Sequence, residues 1–357
     1  MRFSALRPHQ RSPAIDAPIP RGYLHAGATS LSTARRRSAV LVLGANLAVD
    51  RTLRLSRLVP GQVIRPREAV VTAGGKAVNV VRAARAHGLK AVLIANLPGR
   101  AGSLLAEYLA KEGHELRPVV TSGEARAALI VLEDSGRTTV INEPGPPLTH
   151  DDAVRLLAAV RDELATNRHN VVVATGSLPP NAPVDLYRQV LELAHAAGSR
   201  CIVDAAGEAL AATLSHGPDV VSPNLAEAEV LLLGVGSEET ETEGGDIRAR
   251  ATAAATKLVA AGARASLVSA GRHGVAGHDD AGGFWVDAPI VTIRNAIGAG
   301  DSLVAGLGVA LERDLPFRQA VAVGVATASA SVAHDLAGGV DQVLLDELLE
   351  TVRVPAA

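Results

Sequence analysis

The stretch Asn295-Ala296-Ile297-Gly298-Ala299-Gly300-Asp301-Ser302 stands between a β-type run, Ile290 to Arg294, and an apolar pattern that predicts a helix to about Arg313. Its glycines let the backbone turn sharply and aim successive N–H groups at one point, and a helix N-terminus adds partial positive charge. Such a turn suits an anion, phosphate above all. Spacing alone leaves Asp301 two readings. It is either a cap of its own helix or a carboxylate that takes a proton beside the bound anion.

Outward from that stretch the chain alternates strand and helix. Short apolar runs of buried-strand type fall at Ala39 to Leu43, Lys90 to Asn96, Asn170 to Thr175, Arg200 to Asp204, Asp219 to Ser222 and Ala265 to Ser269. Between them lie helical patterns at Lys76 to His87, Gly102 to Glu112, His150 to Leu164, Val184 to Ala196 and Ile247 to Ala261. Strands separated by helices imply βαβ units around a mostly parallel sheet. Two segments interrupt the alternation. Thr52 to Val71, around Pro60-Gly61, and Ala125 to Ile141, around Asp134-Ser135-Gly136, have the pattern of paired strands and predict a small separate sheet that covers a site as a lid. After β-type runs at Gly274 to His278, Phe284 to Val286 and Ile290 to Arg294, the chain closes with three helices. One of them, Ala320 to Ala333, is rich enough in small residues to predict tight buried packing.

Composition narrows the chemistry. Of 357 residues, 48% are hydrophobic but only seven are aromatic, so platforms for stacking bases or sugar rings are scarce and polar groups must hold any sugar. The one cysteine, Cys201, excludes a disulfide framework and a cysteine-based metal site, and points to the cytoplasm. No apolar run approaches a membrane span. Seven arginines against one acid give the first 38 residues a charge of +6, which leaves −8 for the remainder and argues against nucleic acid as the principal ligand. That leader, residues 1–38, is expected to be a disordered basic extension, or the product of a start codon assigned too far upstream. The chain has no Gly-x-x-x-x-Gly-Lys-Ser/Thr loop and no Gly-x-Gly-x-x-Gly after its first strand, so neither a P-loop NTPase nor a dinucleotide fold is expected.

Other candidates gather at expected strand ends and helix starts. In Gly74-Gly75-Lys76-Ala77-Val78-Asn79 the glycines admit a ligand close to the backbone, and Asn79 either hydrogen-bonds sugar hydroxyls or caps the helix. Asp50 follows the first strand at the carboxyl edge of the sheet, where ligands bind, although an Asp there also forms turns. Ser177, in Thr175-Gly176-Ser177-Leu178-Pro179-Pro180, leaves a strand at the same edge. Arg126 in the second lid segment is either a phosphate clamp or a surface arginine. Asn224 and Glu227, three apart at a helix start, suit a hydrated Mg²⁺ or, equally, a capping box.

Taken in order, these segments resemble a PfkB-type carbohydrate kinase of the ribokinase-like superfamily, within its 1-phosphofructokinase and tagatose-6-phosphate kinase branch. The resemblance runs from about Ala39 to about Val352, and the stretches Gly74-Gly75-Lys76-x-x-Asn79 and Asn142-Glu143-Pro144-Gly145-Pro146 point to that branch. It implies a ribokinase-like three-layer α/β/α sandwich with a mostly parallel central sheet and a small β-sheet lid, one kinase domain over 39–352 and a tail at 353–357. It implies Asp301 as catalytic base, with the amides of Gly298, Ala299 and Gly300 as the anion hole. Asp50, Gly74, Gly75, Lys76, Asn79 and Arg126 would bind the sugar phosphate, with Ser177 beside them. Asn224 and Glu227 would organise Mg²⁺, through water, and the ATP phosphates, while Ser269, Gly271 and Gly274 would lie along the nucleotide. The implied activity is transfer of the γ-phosphoryl group of MgATP to a ketohexose monophosphate. Fructose 1-phosphate is the first choice, ahead of fructose 6-phosphate and tagatose 6-phosphate, and a homodimer through the lid is expected. Two rival readings are a catalytically weak sugar-phosphate-binding regulator and a kinase for an unphosphorylated sugar or a nucleoside. The chain departs from the usual pattern at Ser222, where relatives carry Lys, and at Asn181, where they carry Gly.

Overall fold

The computed structural model describes residues 39–234 and 245–354, so the leader 1–38 and the end of the expected tail lie outside the described residues. The described residues form strands β1 (Val40–Gly44), β2 (Ala48–Leu55), β3 (Glu68–Gly74), β4 (Ala91–Asn96), β5 (Glu115–Val119), β6 (Arg126–Glu133) and β7 (Thr138–Asn142), then β8 (Val171–Thr175), β9 (Arg200–Asp204), β10 (Val220–Val221), β11 (Ser266–Ser269), β12 (Val275–Asp279) and β13 (Gly282–Val286). Nine of them make one sheet in the order β13-β12-β11-β10-β9-β8-β1-β4-β5. The run from β11 to β5 is parallel throughout, and β12 and β13 add an antiparallel edge.

Period-two alternation explains why this sheet needs cover on both faces. Val40 and Val42 of β1 enter one apolar cluster, built with the helices Lys76–Arg85, Gly99–Lys111, Ala299–Glu312, Phe317–Val332 and Gln342–Thr351. Leu41 and Leu43 enter the other, built with His150–Thr166, Leu186–Ala196, Gly207–Leu214, Leu225–Leu233 and Ile247–Ala260. The result is the expected three-layer α/β/α sandwich. Because β1 lies between β4 and β8, strand order reverses there, and a crevice opens beyond the carboxyl ends of these strands.

The remaining strands form the expected second sheet, in the order β3-β2-β6-β7. Each expected segment supplies an antiparallel pair, β2 with β3 and β6 with β7, and β2 and β6 join them in parallel. Several details differ from the sequence reading, among them the helix Gly207–Leu214 between β9 and β10, for which that reading gave no pattern. Ile290 to Arg294 is not a strand. Ile290 and Ile293 are exposed, and the Arg294 and Asn295 N–H groups both donate to the Val332 carbonyl at the end of a helix. Strand β5 escaped notice because Glu115, Arg117 and Pro118 give it the composition of an edge strand, and that is where it sits. Among the described residues no helix is long and apolar enough to cross a membrane.

The helices Ala299–Glu312 and Phe317–Val332 touch through glycine. A Cβ on Gly306 would fall on the Thr327 hydroxyl and lie 2.9 Å from the Gly324 Cα, and one on Gly324 would lie 2.7 Å from the Leu303 carbonyl oxygen. Gly306→Val should therefore destabilise the fold by about 1–3 kcal/mol through overpacking. Urea unfolding checks this, and an unchanged midpoint would show that the helices separate without cost.

Candidate active site

Strand register explains why Asp50, Gly74 and Arg126 meet. Ala48 stands opposite Gly74 on one side and opposite Arg126 on the other, so all three face the same way, and Asp50, two residues on, shares that face. A Cβ on Gly74 would fall inside the Asp50 carboxylate, so only glycine leaves that carboxylate its place. Asp50 therefore belongs to the base of the lid sheet, not to the turn after the first strand that the sequence suggested. Burial pushes its carboxyl up to about 6, against the opposing pull of the Arg82 and Arg126 charges. Arg126 donates from Nε to the Asn46 carbonyl (3.1 Å) and from Nη1 to Asn142 Oδ1 and the Glu143 carbonyl (3.4 Å each), which turns the guanidinium across the base of the lid.

At the crevice Asn46 Nδ2 donates to Ser177 Oγ (3.2 Å) and to the Pro144 carbonyl (3.1 Å), tying the ends of β1 and β8 to the lid. The Tyr187 hydroxyl donates to the carbonyls of Thr175 (2.9 Å) and Gly176 (3.0 Å) and so fixes the turn that presents Ser177. Asn181 has φ 62°, a left-handed conformation that Asn adopts more readily than most residues, which accounts for its standing where glycine is usual.

The opening motif takes its expected form. Gly298 is left-handed (φ 83°) and caps the helix Ala299–Glu312. A Cβ on Gly300 would meet nothing within 4 Å, so the backbone there faces open space. The Ala299 N–H makes a long bond to the Ala296 carbonyl, 3.4 Å. Asp301 stands in the first turn of this helix, where a carboxylate is favoured whatever its role, and its side chain bonds to none of the turn's own N–H groups. Its Oδ2 instead accepts from Asn79 Nδ2 at 2.8 Å, while Asn79 Oδ1 is buried with no hydrogen-bond partner among the described residues. Burial and the nearby Asp204 and Glu227 charges push the Asp301 carboxyl up to about 7, against Lys76 and the Asn79 bond.

Lys76, from the same helix as Asn79, points into a group of carboxylates. Its Nζ lies 3.4 Å from Asp204 Oδ1 and 3.3 Å from Glu227 Oε1, and their charges, with that of Asp301, outweigh burial and hold it protonated. Asp204 was missed in the sequence, where it reads as the last residue of an apolar strand. The available signal was an acid closing a buried parallel strand on the ligand-binding edge. Thr175 Oγ1 donates to its other oxygen at 2.7 Å.

Asn224 and Glu227 form a full capping box, so the structural reading of that pair is realised, yet Glu227 Oε1 still reaches Lys76. Among the described residues no cluster of three or more His, Cys, Asp or Glu side chains is arranged to hold a metal by itself. Three carboxylates around one ammonium nevertheless leave excess negative charge, which fits a Mg²⁺ that keeps its waters and shares the phosphates of a bound nucleotide. Ser269 ends β11 and bridges to Asn224, which puts the two expected nucleotide contacts side by side. Gly271 faces open space, whereas a Cβ on Gly274 would fall on the Val286 carbonyl and within 2.9 Å of the Trp285 ring. Packing by itself explains that glycine.

A doubly covered parallel sheet, a lid rooted at its switch point and a glycine turn presenting a carboxylate beside helix-terminal amides define a small-molecule kinase of the ribokinase-like class. A family model described as pfkB family carbohydrate kinase matches residues 39–341. The chain belongs to this family and is a phosphotransferase with an alcohol group as acceptor. The ATP-dependent 6-phosphofructokinase isozyme 2 of Escherichia coli (strain K12) is 32% identical over 278 residues, 77% of this chain and 86% of that protein. The 1-phosphofructokinase of Bacillus subtilis (strain 168) is 26% identical over 309 residues, 87% and 97% of the two chains. Among solved structures, phosphofructokinase-2 from Escherichia coli in complex with potassium superposes with a TM-score of 0.75 at 28% identity, covering 87% of this chain and 98% of that one. Arabidopsis thaliana ribokinase complexed with ribose and ATP shares the fold, with a TM-score of 0.65 at 21% identity over 88% of this chain and 99% of that one.

Asp50 and Asp301 both bind protons more tightly than an exposed carboxylate. The stability they contribute is full below about pH 4 and is lost as pH rises through about 6 and about 7. Asp301→Asn keeps an acceptor for Asn79 and removes the buried charge. Its urea midpoint should exceed that of the unmodified protein at pH 8, with the advantage vanishing near pH 4. An equal or lower midpoint at pH 8 would contradict this electrostatic account.

Proposed function

We propose that the protein is a cytoplasmic, ATP-dependent sugar-phosphate kinase, with residues 39–352 as its kinase domain. It transfers the γ-phosphoryl group of ATP to a hydroxyl of a ketohexose monophosphate, fructose 1-phosphate first and fructose 6-phosphate or tagatose 6-phosphate after it. One observation carries this reading. The Asp50, Gly74 and Arg126 cluster at the lid base and the Asp301–Asn79 pair are joined through a single glycine-rich turn and the helix it opens, residues 74–79.

In the proposed reaction Asp50 and Arg126 hold the acceptor, the carboxylate binding hydroxyls and the guanidinium fork binding the existing phosphate. Asp301, with its proton affinity near neutrality, takes the proton from the attacking hydroxyl. The amides of Gly298, Ala299 and Gly300 and the helix N-terminus face the charge that develops on the transferring group. Lys76, expected among the residues that bind the sugar phosphate, faces Asp204 and Glu227 instead and offsets the carboxylates that would otherwise repel the nucleotide phosphates. Mg²⁺, when bound, neutralises phosphate charge, and Asn224, Glu227 and Asp204 would hold its waters. Ser269 and Gly271 flank the nucleotide in this reading, with Gly274 fixing the turn between them and β12.

The acceptor is identified by ADP release across the three sugar phosphates, with Asp301→Asn as the inactive control. No turnover with any of them, despite sugar-phosphate binding by calorimetry, would leave a binding protein instead of a kinase. Arg126→Ala should raise KM for the sugar phosphate on the order of 10- to 100-fold, the worth of a charge-assisted phosphate contact. An unchanged KM would favour an unphosphorylated acceptor.

We also propose a homodimer formed through the lid. Val70 and Val140 lie on the same lid face as Asp50, further out, and are 41% and 38% exposed at the two ends of a row whose middle holds Thr52 and the buried Ile130, and a second lid would cover them. A Val70→Asp, Val140→Asp double variant should sediment as a monomer where the unmodified protein sediments as a dimer. A monomeric unmodified protein would exclude the dimer.

A further inference from the structure

Arg82 lies one turn beyond Asn79 on the helix Lys76–Arg85 and, apart from its charge near Asp50, has no place in the chemistry described above. Its side chain is 5% exposed. The guanidinium is engaged on three sides. Nε and Nη2 donate to the two oxygens of Glu112 at 2.6 Å each, Nη2 also donates to the Ala73 carbonyl at 2.7 Å, and Nη1 donates to the Ala337 carbonyl at 3.1 Å.

The two carbonyls matter because of the residues that follow them. After Ala73 comes Gly74, over which the Asp50 carboxylate lies. After Ala337 comes Gly338, which is left-handed (φ 72°), and a Cβ there would lie 2.5 Å from the Asn79 Cα and 2.8 Å from its carbonyl oxygen. Gly338 also backs the anion-hole turn, since a Cβ on Gly298 would come within 3.0 Å of the Gly338 nitrogen. Asn79 is thus wedged between its own helix and the Ala337-Gly338 chain, and that wedge aims its Nδ2 at Asp301. The same chain is tied at Asp335, whose carboxylate receives Arg54 of the lid (2.9 Å) and Arg294 (3.1 Å), and whose carbonyl receives Asn295 Nδ2 (3.0 Å).

We propose that Arg82 is a positioning residue for phosphoryl transfer, holding the Ala337-Gly338 chain against Asn79 and Gly298 and the Ala73-Gly74 chain beneath Asp50. Only an arginine does this. A planar fork of five donors reaches a carboxylate and two carbonyls at once, and a lysine ammonium does not. Burial of the Arg82–Glu112 pair is not by itself evidence for stability, because such pairs are often replaceable by apolar residues of similar volume. Residues so placed act through geometry, and a displacement of about 1 Å at the reacting groups costs about 100-fold in rate.

The inference rests on the sugar-phosphate kinase reading, and the experiment separates the two. If the unmodified protein turns over none of the acceptors, that reading fails; if it is active, the Arg82 variants decide the role of Arg82. In Arg82→Met combined with Glu112→Met, the half-buried pair becomes apolar and the fold should be retained with some loss of stability, since His114 Nε2 also loses its Glu112 partner (3.1 Å), but both carbonyl contacts are lost. Its kcat should fall about 100-fold and its KM for the sugar phosphate should rise, while KM for ATP stays near that of the unmodified protein. A general loss of packing would not distinguish the two substrates in this way. Arg82→Lys keeps the charge, serves as the second variant should the double one not fold, and should lower kcat by a smaller factor with the same split. Glu112→Gln leaves the carbonyl contacts in place and should lose stability without losing kcat. Full kcat in either folded Arg82 variant, or equal changes in both KM values, would overturn the proposal.

Discussion

Three carboxylates, Asp204, Glu227 and Asp301, share one ammonium, Lys76, at the carboxyl edge of a sheet covered on both faces. That imbalance governs the rest of the site. Together with burial it raises the proton affinity of Asp301, and it keeps Lys76 charged although Lys76 is buried. It also opposes folding, because like charges are held together where water is scarce. The compensation is structural. Thr175 and Asn79 donate to two of the carboxylates, and the helix amides bring positive charge to the third.

Geometry reaches the site from two directions. From the lid, one register relation across β3, β2 and β6 turns Gly74, Asp50 and Arg126 to one face, and glycine at position 74 makes room for the Asp50 carboxylate. From the core, close glycine contacts hold the helix Ala299–Glu312 against the helix Phe317–Val332. The helix Lys76–Arg85 belongs to both systems. Gly75 precedes it, Lys76 and Asn79 enter the charge cluster, and Arg82 ties its middle to the chains that run behind Gly74 and Gly298.

Much of the fold was legible because each element carries a local signal. Buried parallel strands read as unbroken apolar runs, helices as amphipathic periods, and the lid as two alternating segments about turn residues. The exceptions have physical causes. Strand β5 lies at an edge and tolerates Glu115, Arg117 and Pro118. Ile290 to Arg294 has strand composition, but it lies against a helix end with no strand to pair with. In the candidate site, the residues at punctuated motifs were legible from their glycines, prolines and helix starts. Asp204 and Arg82 were not, because one closes an apolar strand and the other sits on a helix with no turn chemistry beside it.

The amino-acid order by itself determined the α/β alternation, the separate lid and the residue types offered for phosphate chemistry, since these follow from periodicity and from glycine's backbone freedom. Each motif still carried a bland alternative, and only the tertiary structure shows which groups each residue meets. Asp301, in the first turn of its helix, is held by Asn79, 222 residues away in sequence. Asn224 and Glu227 do cap, while Glu227 also meets Lys76. Gly274 answers to Trp285 and Gly74 to Asp50. Such choices depend on contacts across the chain, where register and packing bring groups together that no local pattern relates.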